Sequence, residues 1–84
     1  MNNLEKYNKV FCDVMQVGEE KLANLKFKES DYWDSIGHMT LIAALEEEFD
    51  IMLETEDMMA INSYTKGKDI LSENYGILFW DEKR

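Results

Sequence analysis

Apolar residues recur at steps of three and four early in the chain, at Leu4, Tyr7, Phe11 and Val14, with Val10 and Met15 beside them. That spacing draws one face of an α-helix over residues 3–17. Gly18 follows at once and is a natural left-handed cap, so the helix is expected to end there. Residues 18–34 show no sustained period. Leu22, Leu25 and Phe27 read as apolar pins that fasten this long loop to the core, because a loop of such length has to pack or carry function. A second helix is the clearest element. Asp34 or Ser35 caps it, and Leu41, Leu45 and Phe49, at i, i+4 and i+8, share the face turned to the core. Ile36, Met39 and Ala43 form a neighbouring apolar strip that need not be buried. A short third helix is expected around residues 56–61. Asn62 or Ser63 then caps a fourth, running through Tyr64, Ile70, Leu71 and Tyr75 to Gly76. Within it Gly67 costs about 1 kcal/mol relative to alanine.

No strand-like alternation and no internal repeat occurs, so the expected class is all-α. The architecture is a four-helix bundle, three longer helices and a short one, with a long loop between the first two. Eighty-four residues suffice for one domain. Residues 1–76 are expected to form it, with 77–84 as a tail whose Ile77-Leu78-Phe79-Trp80 run packs back on the bundle. A chain that is 45% hydrophobic is too apolar to be disordered, and the lack of proline suits helices joined by short polar connections. The four methionines Met39, Met52, Met58 and Met59 read as an adaptable core.

Charge changes the picture more than composition does. Eighteen acids against nine bases give a net charge of −9. Such a surface repels nucleic-acid phosphates and attracts basic partner surfaces. The distribution is uneven, because ten acids and no lysine or arginine lie between Glu29 and Thr65. An ordinary solvated helix face mixes signs, since Glu–Lys pairs four apart add a few tenths of a kcal/mol each. A stretch without such pairs points to a functional acidic surface. The longest apolar run, residues 77–80, is far too short for a membrane span, so no membrane role is expected. Met1 to Lys6 hold no apolar export signal, and Cys12 is a single cysteine, which leaves no internal disulfide. The expected setting is reducing and cytoplasmic. The acidic run also lacks the alternating ligand pattern of a calcium loop, so no metal site is expected.

The stretch Asp34-Ser35-Ile36-Gly37-His38-Met39-Thr40-Leu41-Ile42-Ala43-Ala44-Leu45-Glu46-Glu47-Glu48-Phe49-Asp50-Ile51 resembles the centre of an acyl carrier protein. The family pattern is Asp-Ser-Leu followed by an amphipathic helix ending in Leu-Glu-Glu-Glu-Phe. The resemblance extends over about residues 3–74 and implies the four-helix plan of that family. It implies Ser35 as the attachment site of 4′-phosphopantetheine, transferred from coenzyme A by a phosphopantetheinyl transferase, with a thiol that carries acyl groups as thioesters. Asp34 is then expected to contact that transferase. Ile36, Met39, Ala43, Glu46, Glu47 and Ile61 are implied as the surface that meets the transferase and the acyl-loading and acyl-transfer enzymes through their basic patches. The carrier is expected to be a monomer.

Some positions depart from the family. Tyr32 stands where a glycine is common, beside Trp33, and Gly37 and Thr40 stand where acids are common. A specialised carrier for a lipid, polysaccharide or natural-product pathway is therefore as well supported as a fatty-acid carrier. Peptidyl and D-alanyl carriers share the serine and the plan, although the acidity favours the acyl type. A small helical adaptor without a prosthetic group is the reading outside this class. A hydrolase built on Asp34, Ser35 and His38 is disfavoured, because a small bundle has no room for an oxyanion hole and Asp34 does not stand behind the histidine. His38 reads as a partly exposed helix residue and Cys12 as a small buried hydrophobe. Crowded acids repel one another, so magnesium or moderate salt at neutral pH is expected to raise the melting temperature. Melting that ignores ionic strength would show that the repulsion is weak.

Overall fold

The computed structural model describes residues 2–27 and 33–79. Its elements are α1 Asn3–Met15, a 3-10 helix Glu19–Asn24, α2 Ser35–Phe49, α3 Thr55–Ala60 and α4 Tyr64–Tyr75. Among the described residues there is no strand, only an isolated antiparallel bridge between Lys26 and Ser63. The all-α class and the plan of three long helices and one short one are both observed. Expectations resting on Glu29, Asp31, Tyr32 and Trp80 to Arg84 concern positions outside the described residues.

Helix α1 starts on a capping box. The Asn2 side chain accepts the Glu5 N–H at 2.8 Å, and the Glu5 carboxylate accepts the Asn2 N–H at 3.2 Å. The helix ends earlier than the glycine suggested. Gln16, not Gly18, takes the left-handed cap conformation at φ 60°. Its side-chain amide donates to the Asp13 carbonyl at 2.8 Å, and Val17 N–H reaches the Cys12 carbonyl at 3.3 Å. Two carbonyls of the last turn are thereby satisfied without a glycine. The loop that follows contains the 3-10 helix, which buries only Leu22 and so leaves no periodic trace in the sequence. Leu25 is buried as expected and Phe27 lies partly inside. Phe27 N–H donates to the Asn62 carbonyl at 2.9 Å and Tyr64 N–H to the Leu25 carbonyl at 3.3 Å, stitching the loop to the start of α4. Ser63 caps α4, its hydroxyl accepting the Lys66 N–H at 3.0 Å, and Gly76 ends it at φ 72°.

Aromatic rings fill the centre. Tyr7 lies 4.8 Å from Phe11, 5.2 Å from Tyr64 and 5.0 Å from Phe79, and Phe11 meets the edge of Trp33 at 5.4 Å. The Tyr7 hydroxyl donates to the Tyr64 carbonyl at 2.7 Å. It passes directly over Gly67, where a Cβ would fall on that hydroxyl. The glycine that weakens α4 as an isolated helix is what admits Tyr7. Ile77 is buried, Phe79 packs between Tyr7 and Phe49, and the Asn3 side chain donates to the Leu78 carbonyl at 3.0 Å.

The methionines are not the core. Met39, Met52 and Met59 are 61%, 85% and 76% exposed, and Met58 is only partly buried. Rings occupy the volume that an adaptable sulfur core would have filled. Fully inside are Tyr7, Phe11, Trp33, Leu41, Ile42, Leu45, Ile61 and Leu71. The exposed pair Lys9–Asp13, at 3.0 Å, lies outside the acid-rich centre and contributes little.

Burial, reinforced by Tyr64 and Asp69, raises the Tyr7 hydroxyl well above the ordinary phenol range. The fold thus favours the neutral phenol. Its contribution to stability is full below about pH 10, the unfolded value, and is lost as pH rises through the higher folded value. Tyr7→Phe is expected to cost about 1 kcal/mol at pH 8 through the lost hydrogen bond, and to soften the alkaline loss of stability. Urea unfolding of both proteins at pH 8 and pH 11 measures this. Identical alkaline losses would assign the effect to other groups.

Candidate functional site

The turn entering α2 is fixed by Asp34. Its carboxylate accepts the Gly37 N–H at 2.8 Å, and its carbonyl accepts the His38 N–H at 2.8 Å. Asp34 is therefore the cap, and Ser35 is the first helical residue, with its side chain exposed. A group on that hydroxyl would stand at the positive end of the α2 dipole, where an anion is favoured. The carboxylate of the acid beside it is bonded to the Gly37 amide.

Helix α2 is apolar on two sides. His38, Leu41, Ile42 and Leu45 face inward, whereas Ile36 (79% exposed), Met39 and Ala43 face out. Thr40, on the outer side as well, donates its hydroxyl back to the Ile36 carbonyl at 3.1 Å. Ile61 does not join the outer strip. It is wholly buried and contacts the interior near Gly67. The two acids of the expected surface also differ. Glu46 accepts the Leu53 N–H at 2.8 Å and so ties α2 to the segment before α3, while Glu47 stays exposed. The exposure of Met52 and Met59 left no trace in the sequence, since Met52 lies in the connection before α3 and a six-residue helix offers no period from which to assign a face to Met59.

His38 corrects a further expectation, since it is buried rather than partly exposed. Trp33 Nε1–H donates to its Nδ1 at 3.0 Å, and its Nε2 lies 2.7 Å from the Met58 carbonyl. An indole can only donate, so Nδ1 accepts and the ring proton is on Nε2, donated to Met58. Both nitrogens are thus engaged away from Ser35, which leaves a Ser–His hydrolase without a base. No sequence signal marks this bridge, because its partners sit five and twenty residues away in irregular register. The Cys12 thiol is raised by burial and then by Glu19, Asp13 and Glu20, so thiolate chemistry is disfavoured. Among the described residues no three His, Cys, Asp or Glu side chains converge on a metal site, and no helix is long and apolar enough to cross a membrane.

This all-α bundle exposes Ser35 at the start of a long helix. No family model matches the chain. Individual proteins do. An acyl carrier protein of Buchnera aphidicola from Schizaphis graminum is 36% identical over 74 residues, covering 86% of this chain and 94% of that protein. Acyl carrier proteins of Buchnera aphidicola from Acyrthosiphon pisum are 33% identical over 75 residues (strain Tuc7) and 34% over 73 (strain 5A), covering 87% and 84% of this chain and 94% and 91% of theirs. The chain belongs to the acyl carrier protein family. Its role is that of a carrier, not a catalyst.

The contrast between Glu46 and Glu47 is directly measurable. Glu46→Ala leaves the Leu53 amide unpaired and is expected to cost about 1–2 kcal/mol in denaturant unfolding. Glu47→Ala is expected to stay within about 0.5 kcal/mol of the parent. Equal costs would mean that the Glu46–Leu53 bond contributes nothing.

Proposed function

We propose that this protein carries acyl intermediates as thioesters on a 4′-phosphopantetheine arm attached to Ser35, and delivers them to partner enzymes in the cytoplasm. The observation that carries this reading is the placement of Ser35. Its hydroxyl is exposed on the first residue of α2, beside an aspartate whose carboxylate is already bonded to the Gly37 amide. A phosphodiester on Ser35 Oγ would meet the positive helix end, and the exposed Ile36 and Met39 would flank it. When bound, the arm supplies a flexible chain ending in a thiol. Among the described residues both His38 nitrogens are engaged elsewhere and the Asp34 carboxylate accepts the Gly37 N–H, so a phosphopantetheinyl transferase would supply the activation of the serine.

Asp34, Ile36, Met39, Ala43 and Glu47 form the surface that partners meet, with residues 1–76 as the carrier domain. Glu46 contributes its charge from a fixed position, and Ile61 supports the surface from inside. Basic patches on the transferase and on acyl-loading and acyl-transfer enzymes suit the net charge of −9. The aromatic and histidine-containing entry to α2, with Gly37 and Thr40 in place of acids, supports a specialised lipid, polysaccharide or natural-product pathway as well as a fatty-acid one.

Incubation with coenzyme A, magnesium and a broad-specificity transferase should add one arm per chain, read as a mass increase. Ser35→Ala should take none while keeping its helical circular dichroism, since Asp34 and not Ser35 supplies the cap. Modification that persists in Ser35→Ala would sink the assignment.

A further inference from the structure

Helix α3 is six residues long and none of its side chains is fully buried, with Met58 and Ala60 resting partly against the core. Its hydrogen bonds come from two directions. From α4, the Tyr75 hydroxyl accepts the Glu54 N–H at 2.8 Å and donates to Asp57 Oδ2 at 2.6 Å, and the Asn74 amide donates to Asp57 Oδ1 at 2.9 Å. From α2, His38 donates to the Met58 carbonyl, one of the terminal carbonyls that a helix cannot satisfy internally. Its fully buried apolar neighbours, Leu53 and Ile61, flank the helix, while Met58 and Ala60 add partial contacts from within it. An element this short, with little burial of its own, depends on its polar ties for its position.

The same imidazole that holds α3 also holds Trp33. The two rings stack at 6.0 Å and 23°, Phe27 closes over His38 at 4.9 Å, and the indole N–H ends on Nδ1. Trp33 is joined directly to Asp34, which caps α2 and precedes Ser35. A displacement of α3 that pulled on Nε2 would tilt the ring and lengthen the indole bond at Nδ1. The two bonds share one rigid plane and cannot be adjusted separately.

We infer that His38 is a positioning residue that couples α3 to the turn presenting Ser35, so that a change in α3 is felt at the attachment end of α2. The consequence for loading rests on Ser35 being the attachment site, whereas the coupling itself does not. Two substitutions separate the arms of the bridge. His38→Asn keeps an acceptor near the Nδ1 position for Trp33 and drops the Met58 bond. His38→Gln keeps a donor near the Nε2 position for Met58 and drops the Trp33 bond.

The experiment loosens α3 from the far side with Tyr75→Phe and reads hydrogen exchange by NMR. With His38 present, the Ile61 amide, which donates to Asp57, should exchange about tenfold faster or more. The Trp33 indole N–H should follow by about fivefold or more, in the range usual for coupled sites. In a His38→Asn background, Tyr75→Phe should still speed the Ile61 amide yet leave the indole unchanged. An indole that ignores Tyr75→Phe with His38 present, or responds equally in both backgrounds, overturns the coupling. If His38→Asn does not fold, His38→Gln serves the same comparison, since there the Tyr75→Phe effect must again fail to reach the indole. Loading rates should parallel the indole, falling about threefold with Tyr75→Phe only when His38 is present. If neither wild type nor any variant accepts an arm, the carrier reading fails while the exchange result still decides the coupling.

Discussion

A wholly buried indole has one donor and no freedom to leave it unpaired, because an unsatisfied buried N–H costs about 1–3 kcal/mol. In this protein the acceptor for Trp33 is a histidine nitrogen, and that choice organises a whole end of the bundle. Once Nδ1 accepts, the remaining ring proton has to be donated from Nε2, and Met58 is where it goes. The loop before α2, the first turn of α2 and the end of α3 are therefore held by one side chain. The exposed Ser35 lies at this junction. Ser35 occupies the outside of the same turn whose inside is occupied by His38.

The core explains why so much apolar surface remains outside. Tyr7, Phe11, Trp33, Tyr64 and Phe79 touch one another in a chain of tilted and edge-on rings. Such rings fill space early, and the aliphatic residues of α2 complete the packing. Ile36, Met39, Met52 and Met59 are left exposed, two of them on α2 itself. In a domain this small, hydrophobic side chains kept in water lower no folding free energy. Ile36 and Met39 lie along the helix that starts at Ser35, and neighbouring exposed apolar side chains leave that face available for contact.

Acidity acts at two levels. Glu46 has a defined structural partner in the Leu53 amide, and Asp57 is held between Asn74 and Tyr75, so part of the acid-rich centre works as hydrogen-bond acceptors for backbone and side chains. Glu47 and its exposed neighbours are left to shape the field around the molecule. Charge that is not neutralised internally is what extends a field beyond the surface of the molecule.

The sequence alone determined the elements and the candidate serine. Period-3.6 stripes marked α1 and α2, cap residues marked both ends of α4, and the Asp34-Ser35-Ile36 start with its Leu45-Glu46-Glu47-Glu48-Phe49 finish marked the family, because these are local patterns that survive in one dimension. Tertiary structure decided what local pattern could not. Gln16 replaced Gly18 as a cap because a side-chain amide happened to reach Asp13. Gly67 changed from a weakness to a requirement because Tyr7 crosses there from α1. Ile61 went inside and Met39, Met52 and Met59 stayed outside, with aromatic rings from α1, α4 and the segments at Trp33 and Phe79 in the central volume. His38 became the hub of the site only when a loop and a short helix, both without period, were brought to its two nitrogens. Such contacts depend on which surfaces meet in three dimensions, and spacing along the chain does not encode that.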